Sequence, residues 1–531
     1  MPEPDQPGAP SGALPRTRDR AGVRAADLPP SHPTSPHANP NPTLLWAAQA
    51  WLPGGWQSDV LLRIDGDGRW ADIHPGITTP PPTASVLAGP LLPGLVNAHS
   101  HAFQRAFAGL AERKESAADD FWSWRDRMYG VALRITPAQL RAVAAQLYLE
   151  LLQGGYTQVC EFHYLHHHTD GQPYADPQTM GWALADAAQD AGLGLTLMPA
   201  LYQRAGFTQP GLRAEQRRFA SSPASVWAAV QAITGRAAAG AAALQTQTQT
   251  QARTHAHADA LPHRPALLSA GLVIHSLRAA AADAIHTLRD LAAQFSGPIH
   301  IHVAEQAAEV ADCLAATGAR PIQWLAEQGL LDARWQLVHA THSLPAEVAA
   351  VARSGAGVVI CPSTEANLGE GLCDLRGWLV AGVPLAIGSD SHVSRDWREE
   401  LRWLDYGQRL LLRQRNVAAA PAAGQPSTAQ RLFSRVLAGG AAAAGQPCWG
   451  LLPGARADAL VVDAACPSVL GLPPDRLLDG LVFCSPNRPF RDVLVAGRWV
   501  LRDHQHPQAG AIGQRFVQAM AALWPPAGPA R

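Results

Sequence analysis

Eight short apolar runs, separated by long stretches with helical periodicity, constrain this chain more than any other feature. They lie near residues 91–97, 156–162, 193–200, 270–275, 298–303, 335–339, 357–361 and 383–389. Runs this apolar and this short read as strands buried on both faces. Their regular alternation with helices predicts an α/β fold, a (β/α)8 barrel of the TIM type. Several of the runs end in potential metal ligands: His99-Ser100-His101 after Leu95-Val96-Asn97-Ala98, His302 after Ile299-His300-Ile301, His339 after Leu337-Val338, and Asp390 after Leu385-Ala386-Ile387-Gly388-Ser389. In barrels of this class the chemistry sits at the carboxyl ends of the strands.

The flanks read differently. Residues 1–42 are rich in Pro, Ser, Asp and Arg and poor in large apolar side chains, which predicts a disordered N-terminal extension. Between residues 43 and 90, runs such as Asp59–Ile64 are broken by Asp-Gly and Pro clusters. The same pattern returns between 440 and 510, in Ala459–Asp463 and Asp492–Val500. The two flanks together predict one small β-sandwich-like domain, with the barrel over 91–439 and a C-terminal helix and tail over 511–531. Within the barrel, Ala237–His263 is low in complexity, with an Ala run and Gln-Thr repeats, and is expected to be an unstructured surface insertion. Amphipathic helices are expected over Arg398–Arg415 and Thr428–Ala438.

A formal net charge of -1 argues against a polyanion-binding surface, so no nucleic-acid partner is expected. Seven cysteines lie scattered without a CxxC pair, unlike a disulfide framework. The first twenty residues carry charge and proline where a signal peptide needs an apolar core, and no run reaches membrane-span length. The expectation is an unexported cytoplasmic protein with no membrane partner.

Strand alternation points His99 and His101 to the same side, so both imidazoles can converge on one ion. With His302 and Asp390 they provide three nitrogens and one oxygen, a set that suits zinc or iron. Glu305 follows His302 by three residues, where its carboxylate could face an activated water as a proton shuttle. A helix N-terminal Glu favoured by the dipole is the plainer alternative. His339 is read as a ligand or as a hydrogen-bond partner of the attacking oxygen, and His342 as a neighbour. The only lysine, Lys114, lies far from strand four, where His275 stands, so a carboxylated lysine bridging two metals is not expected. One divalent metal is the simpler expectation. His166-His167-His168 reads as a solvated loop, His255 and His257 as idle, and Cys361 as a small buried hydrophobe.

The elements HSH, HVAE, VHATH and GSDSH, with the split β-rich flanks, resemble the amidohydrolase superfamily in its mononuclear deaminase branch, over about residues 44 to 505. The strings AHSHAFQRAFAGLAER, CEFHYLHH, MPALYQRAGF, IHSLRA, CPSTEANLGEG and SDSHVSRDWREELRWLDYGQRL are similar to those of formimidoylglutamate deiminases. The resemblance implies one divalent metal per subunit, zinc with iron as the alternative, a homodimer, and hydrolytic deamination of N-formimino-L-glutamate in histidine degradation. It implies that Asp390 takes a proton from water, that Glu305 delivers one to nitrogen and that His339 steadies the oxygen. Gln104, Tyr164, His275 and Arg278 match positions that hold substrate. A dicarboxylate calls for guanidinium partners, and Arg125 is a candidate for the second, from its own or a neighbouring subunit, against the plainer reading of a surface Arg on a helix. Arg204 is a further candidate. Two other readings stay open: a deaminase of the same branch acting on guanine, cytosine or an adenosine derivative, and a metal-binding scaffold without catalysis.

Overall fold

The computed structural model describes residues 43–112, 121–254, 267–484 and 488–525. The N-terminal extension, Lys114, His255 and His257 lie outside the described residues. Eight parallel strands form the barrel: β1 (Leu95–Ser100), β2 (Tyr156–His163), β3 (Gly194–Leu201), β4 (Leu272–Ser276), β5 (Ile299–Val303), β6 (Trp335–His339), β7 (Gly357–Ile360) and β8 (Leu385–Ile387). Each pairs with its sequence neighbour, as βαβ connections require. Nearly all their residues are buried on both faces, which is why the runs are continuously apolar rather than alternating.

The ring closes between β8 and β1 with little backbone pairing. A single bridge joins Ser100 to Asp390, and the Asp390 N–H donates to the His99 carbonyl at 3.0 Å. Side chains complete the seam. Asn97 Nδ2 donates to Ser389 Oγ at 2.7 Å, and the Ser389 N–H donates to Asn97 Oδ1 at 2.9 Å. Glycines let the pieces approach: a Cβ on Gly388 would lie 2.5 Å from His99 Cβ. The helix Thr428–Ala443, capped by Ser427 Oγ accepting the Gln430 N–H at 3.1 Å, lies across the seam. A Cβ on its Gly439 would meet the Leu385 carbonyl oxygen at 2.0 Å.

The run near 91–97 is two strands in two sheets. Leu91–Leu92 pairs with Ala50 and with Leu460, in the flanking sheet, and β1 begins only at Leu95. Pro93, with no N–H to donate, and Gly94, where a Cβ would strike Thr157 at 2.2 Å, break the run. The flanking strands form one mixed sheet of eight strands drawn from both ends of the chain. They bury their own core, with Leu45, Val60, Leu62, Trp70, Leu91, Val461 and Leu494 inside. Arg456, buried, ties this sheet to the start of β2: it pairs with Asp458 and donates to Gln158 Oε1 at 2.9 Å and the Thr157 carbonyl at 3.1 Å.

The expectation of an unstructured insertion from Ala237 is corrected over its first part. Pro223–Thr254 is one helix, so the Ala run and Gln-Thr repeats continue it. Alanine has the highest helix propensity, and local composition here favours helix over loop. The remainder of that stretch, 255–263, lies outside the described residues. Among the described residues no helix is long and apolar enough to cross a membrane. All seven cysteines are free thiols.

If the glycine contact across the seam holds the ring closed, Gly439→Ala will destabilise the protein by about 1–3 kcal/mol, read as a lower thermal midpoint. An unchanged midpoint would show that the seam tolerates separation.

Candidate active site

The carboxyl ends of β1, β5 and β8 bring four side chains into one buried nest. His302 Nε2 lies 3.0 Å from His99 Nε2, and Asp390 Oδ1 lies 3.4 Å from His99 Nε2 and 3.5 Å from His101 Nε2. The donor atoms fit a divalent cation. His101 Nδ1 sits 3.0 Å from the Phe162 carbonyl, which can only accept, so Nδ1 carries the proton and Nε2 turns its lone pair into the nest. Burial drives the His99 pKa down to about 3 and lowers those of His101 and His302, so all three rings are neutral near pH 7, the form that ligates. Burial pushes Asp390 the other way, yet the hydrogen bond with His99 and the surrounding imidazoles outweigh it and hold the carboxyl below its usual range.

His339 stands at the end of β6 among carboxylates. Its Nε2 is 3.6 Å from Glu305 Oε1 and 4.0 Å from Asp390 Oδ2, and its Nδ1 is 3.4 Å from Glu365 Oε1. Burial alone would lower its pKa, but Glu305, Glu365 and Asp390 together raise it well above the ordinary value. Glu305 is thus beside the nest rather than only at a helix start. The backbone here is strained: Ala304, His339, Ala340, Asp390 and His392 all have positive φ between 44° and 69°, an unusual density for residues other than glycine.

A ring of buried polar groups braces the ligands, and the sequence reading did not single it out. Glu161, on β2, accepts from Ser100 Oγ and the Ala102 N–H, each at 2.6 Å, clamping both sides of His101. Glu309 accepts the N–H groups of Ala304 and Glu305 at 3.2 and 3.0 Å and so fixes the loop that carries Glu305. Glu365 accepts the Cys361 N–H at 3.0 Å while facing His339. His392 lies between Ser389 Oγ at 3.0 Å and Ser100 Oγ at 3.4 Å, joining the two ligand loops. Glu161, Glu365 and His392 lie within the segments that resemble the deiminases, but only folding shows what they touch.

The nest opens into a pocket lined by His101, Gln104, Arg125, Tyr164, His275, Arg278, His302, Glu305, His339 and Asp390, together with the aromatic residues Trp124, Tyr129, Tyr202 and Phe219. Gln104 Nε2 donates to Tyr164 OH at 3.2 Å. The His275 ring packs 5.0 Å from that of His302 and 4.4 Å from that of Tyr202. Arg125 lies on the helix Phe121–Ala132 of the same chain, buried, with its guanidinium carbon 5.6 Å from the Tyr129 ring centre. Arg204 does not line this pocket; it donates to the carbonyls of Leu277 and Arg278 at 2.8 and 3.2 Å and so holds the loop bearing Arg278. His342 stays outside the nest. His166 and His167 hydrogen-bond to the carbonyls of Ala200 and Ala220, and His168 packs on Tyr174, so the run is tied to backbone rather than grouped as ligands. Cys361 is fully buried.

In the metal-free protein, unfolded imidazoles take up protons below about pH 6.5, while burial keeps the folded His99 ring neutral down to about pH 3. The unfolded state then binds more protons, so stability falls as pH drops through that window. Thermal melts of chelator-treated protein should show this fall, shallower in His99→Asn than in the parent. Identical pH dependence in the two proteins would sink the assignment. His101→Asn should also abolish stoichiometric metal, measured by elemental analysis.

Residues 91–500 match the model of the Amidohydrolase family. The chain is 45% identical to formimidoylglutamate deiminase of Pseudomonas aeruginosa over 480 residues, covering 90% of this chain and 99% of that one. The crystal structure of an amidohydrolase from Brucella melitensis superposes with a TM-score of 0.79 at 38% identity, covering 90% of this chain and 99% of that one. An adenosine deaminase from Xanthomonas campestris, solved with bound zinc, superposes with a TM-score of 0.71 at 22% identity over 91% of this chain and 99% of its own, a likeness of fold. A parallel barrel closed at a histidine and aspartate nest, matched over this span, places the chain in the amidohydrolase family.

Proposed function

We propose that the chain is a metal-dependent hydrolase that deaminates N-formimino-L-glutamate, cleaving a linear amidine C–N bond to give N-formyl-L-glutamate and ammonia in histidine degradation. The similarity to the Pseudomonas aeruginosa deiminase over nearly the whole of both chains carries this reading. The pocket chemistry supports it: Arg125 and Arg278 line a cavity next to the nest, and a substrate with two carboxylates gives both guanidinium groups a partner. Aromatic lining does not separate this reading from deamination of a heterocycle, since Trp124, Tyr129, Tyr164, Tyr202 and Phe219 would also suit a flat ring. The guanidinium pair does, because a neutral ring offers no charge to match it. A scaffold without catalysis would have no use for Glu305 held 3.6 Å from His339 at the edge of the nest.

We assign His99, His101, His302 and Asp390 as the holders of one zinc ion per subunit; iron suits the same donors. When bound, the cation supplies the Lewis acidity that makes water a nucleophile near neutral pH. Asp390, kept ionised by its imidazole neighbours, accepts a proton of the attacking water. As the new C–O bond forms, His339 donates toward the oxygen that gains charge, its own proton favoured by the carboxylates around it. Glu305 carries a proton to the departing nitrogen, and the C–N bond breaks to release ammonia. Arg278, Arg125, Gln104, Tyr164 and His275 orient the substrate rather than move protons. The free thiols agree with a cytoplasmic setting.

Purified protein should release ammonia from N-formimino-L-glutamate and not from a panel of guanine, cytosine and adenosine derivatives; the opposite preference would overturn the assignment. Glu305→Gln should lower kcat by roughly 100-fold or more with its metal content intact. Turnover near the parent rate in that variant would remove Glu305 from the mechanism.

A further inference from the structure

Gln216 is fully buried in the short turn Ala214–Phe219, and its hydrogen bonds settle the direction of two hydroxyl groups in the pocket. Its Oε1 accepts the Arg213 N–H at 3.0 Å, which fixes which end of the amide is oxygen. The amide nitrogen then donates to both Tyr202 OH, at 2.9 Å, and Tyr129 OH, at 3.1 Å. Each phenol oxygen is thereby an acceptor toward Gln216, so each phenol hydrogen must point elsewhere. Both side chains line the pocket, and among the described residues neither hydroxyl has a second hydrogen-bond partner. Reached by one nitrogen, the two hydroxyls sit side by side. They share the pocket with Arg125, whose guanidinium packs near the Tyr129 ring, and with Arg278.

We propose that Tyr129 and Tyr202 donate paired O–H hydrogen bonds to one carboxylate of the substrate, and that Gln216 is the positioning residue that aims them. A carboxylate accepts at two oxygens with several lone pairs and so takes two hydroxyl donors together with a guanidinium. Pocket tyrosines that packing alone would explain thus gain a polar task, one that favours an anionic group over a neutral one. The inference rests on the reading that the substrate carries carboxylates.

The test uses the metal-loaded full chain and its Tyr129→Phe, Tyr202→Phe, double-Phe and Gln216→Met variants. Kinetics with N-formimino-L-glutamate are run beside calorimetric titration with glutarate, a dicarboxylate with no amidine bond to hydrolyse; a parent protein that does not bind glutarate would also overturn the proposal. Each single Phe variant should raise KM by roughly tenfold and weaken glutarate binding by a similar factor, with the loss falling on KM rather than kcat. Gln216→Met should move KM in the same direction in the parent and have no further effect in the double-Phe background, a coupling that a merely structural glutamine would not show. Unchanged KM and glutarate affinity in both Phe variants, or an undiminished Gln216→Met effect in the double-Phe protein, would overturn the proposal. A parent protein that binds glutarate through these tyrosines but releases no ammonia would instead refute the reaction assignment and leave the paired donors standing.

Discussion

The closure of the barrel between β8 and β1 is the constraint on which the site depends. Only one backbone bridge spans this seam, and it is made by the ligand segments themselves, with the Asp390 N–H on the His99 carbonyl. Asn97, Ser389 and His392 complete it with side-chain hydrogen bonds. A ligand from the last strand is thereby set beside ligands from the first, although almost three hundred positions separate Asp390 from His99 and His101. The close approach needs glycine at 388 and 439, where any side chain would strike backbone or His99. Fold closure and assembly of the nest are therefore one event.

Burial and charge divide the site into two kinds of group. The rings of His99, His101 and His302 are buried, and desolvation keeps them neutral and ready to act as donors. His339 is equally buried but is surrounded by Glu305, Glu365 and Asp390, which reverse the outcome and favour its protonated form. Four histidines at strand ends thus serve different ends because of what lies within a few ångströms of each. The buried carboxyl groups of Glu161 and Glu309 stand behind the ligands, accepting backbone N–H groups and fixing the loops that aim His101 and Glu305. The Glu309 contact lets Ala304 hold positive φ without glycine.

The eight barrel strands were legible because strands buried on both faces leave continuous apolar runs, and the ligands were legible because they end those runs. Elsewhere, local sequence signals are overridden by competing local ones or by partners remote in the chain. The run near residue 91 looks like one strand, yet Leu91–Leu92 belongs to the flanking sheet because Pro93 and Gly94 break it and distant partners are available. The Gln-Thr repeats look like a loop by complexity, whereas their helix is favoured by alanine propensity next to an established helix. Arg204 is a further guanidinium candidate for a dicarboxylate by sequence, but its guanidinium turns to the backbone of the Arg278 loop.

What the amino-acid order determined by itself is the periodicity: which segments are strands, which are helices, and which chemical groups stand at their ends. Those are local properties, written in the spacing of apolar and polar side chains. The tertiary structure alone decided the contacts between segments remote in the chain: Asp390 beside His99, Glu365 behind His339, and Gln216 beneath Tyr129 and Tyr202. The protonation of the imidazoles was decided there too, since it follows from burial and neighbouring charge, and neither exists until the ring has closed.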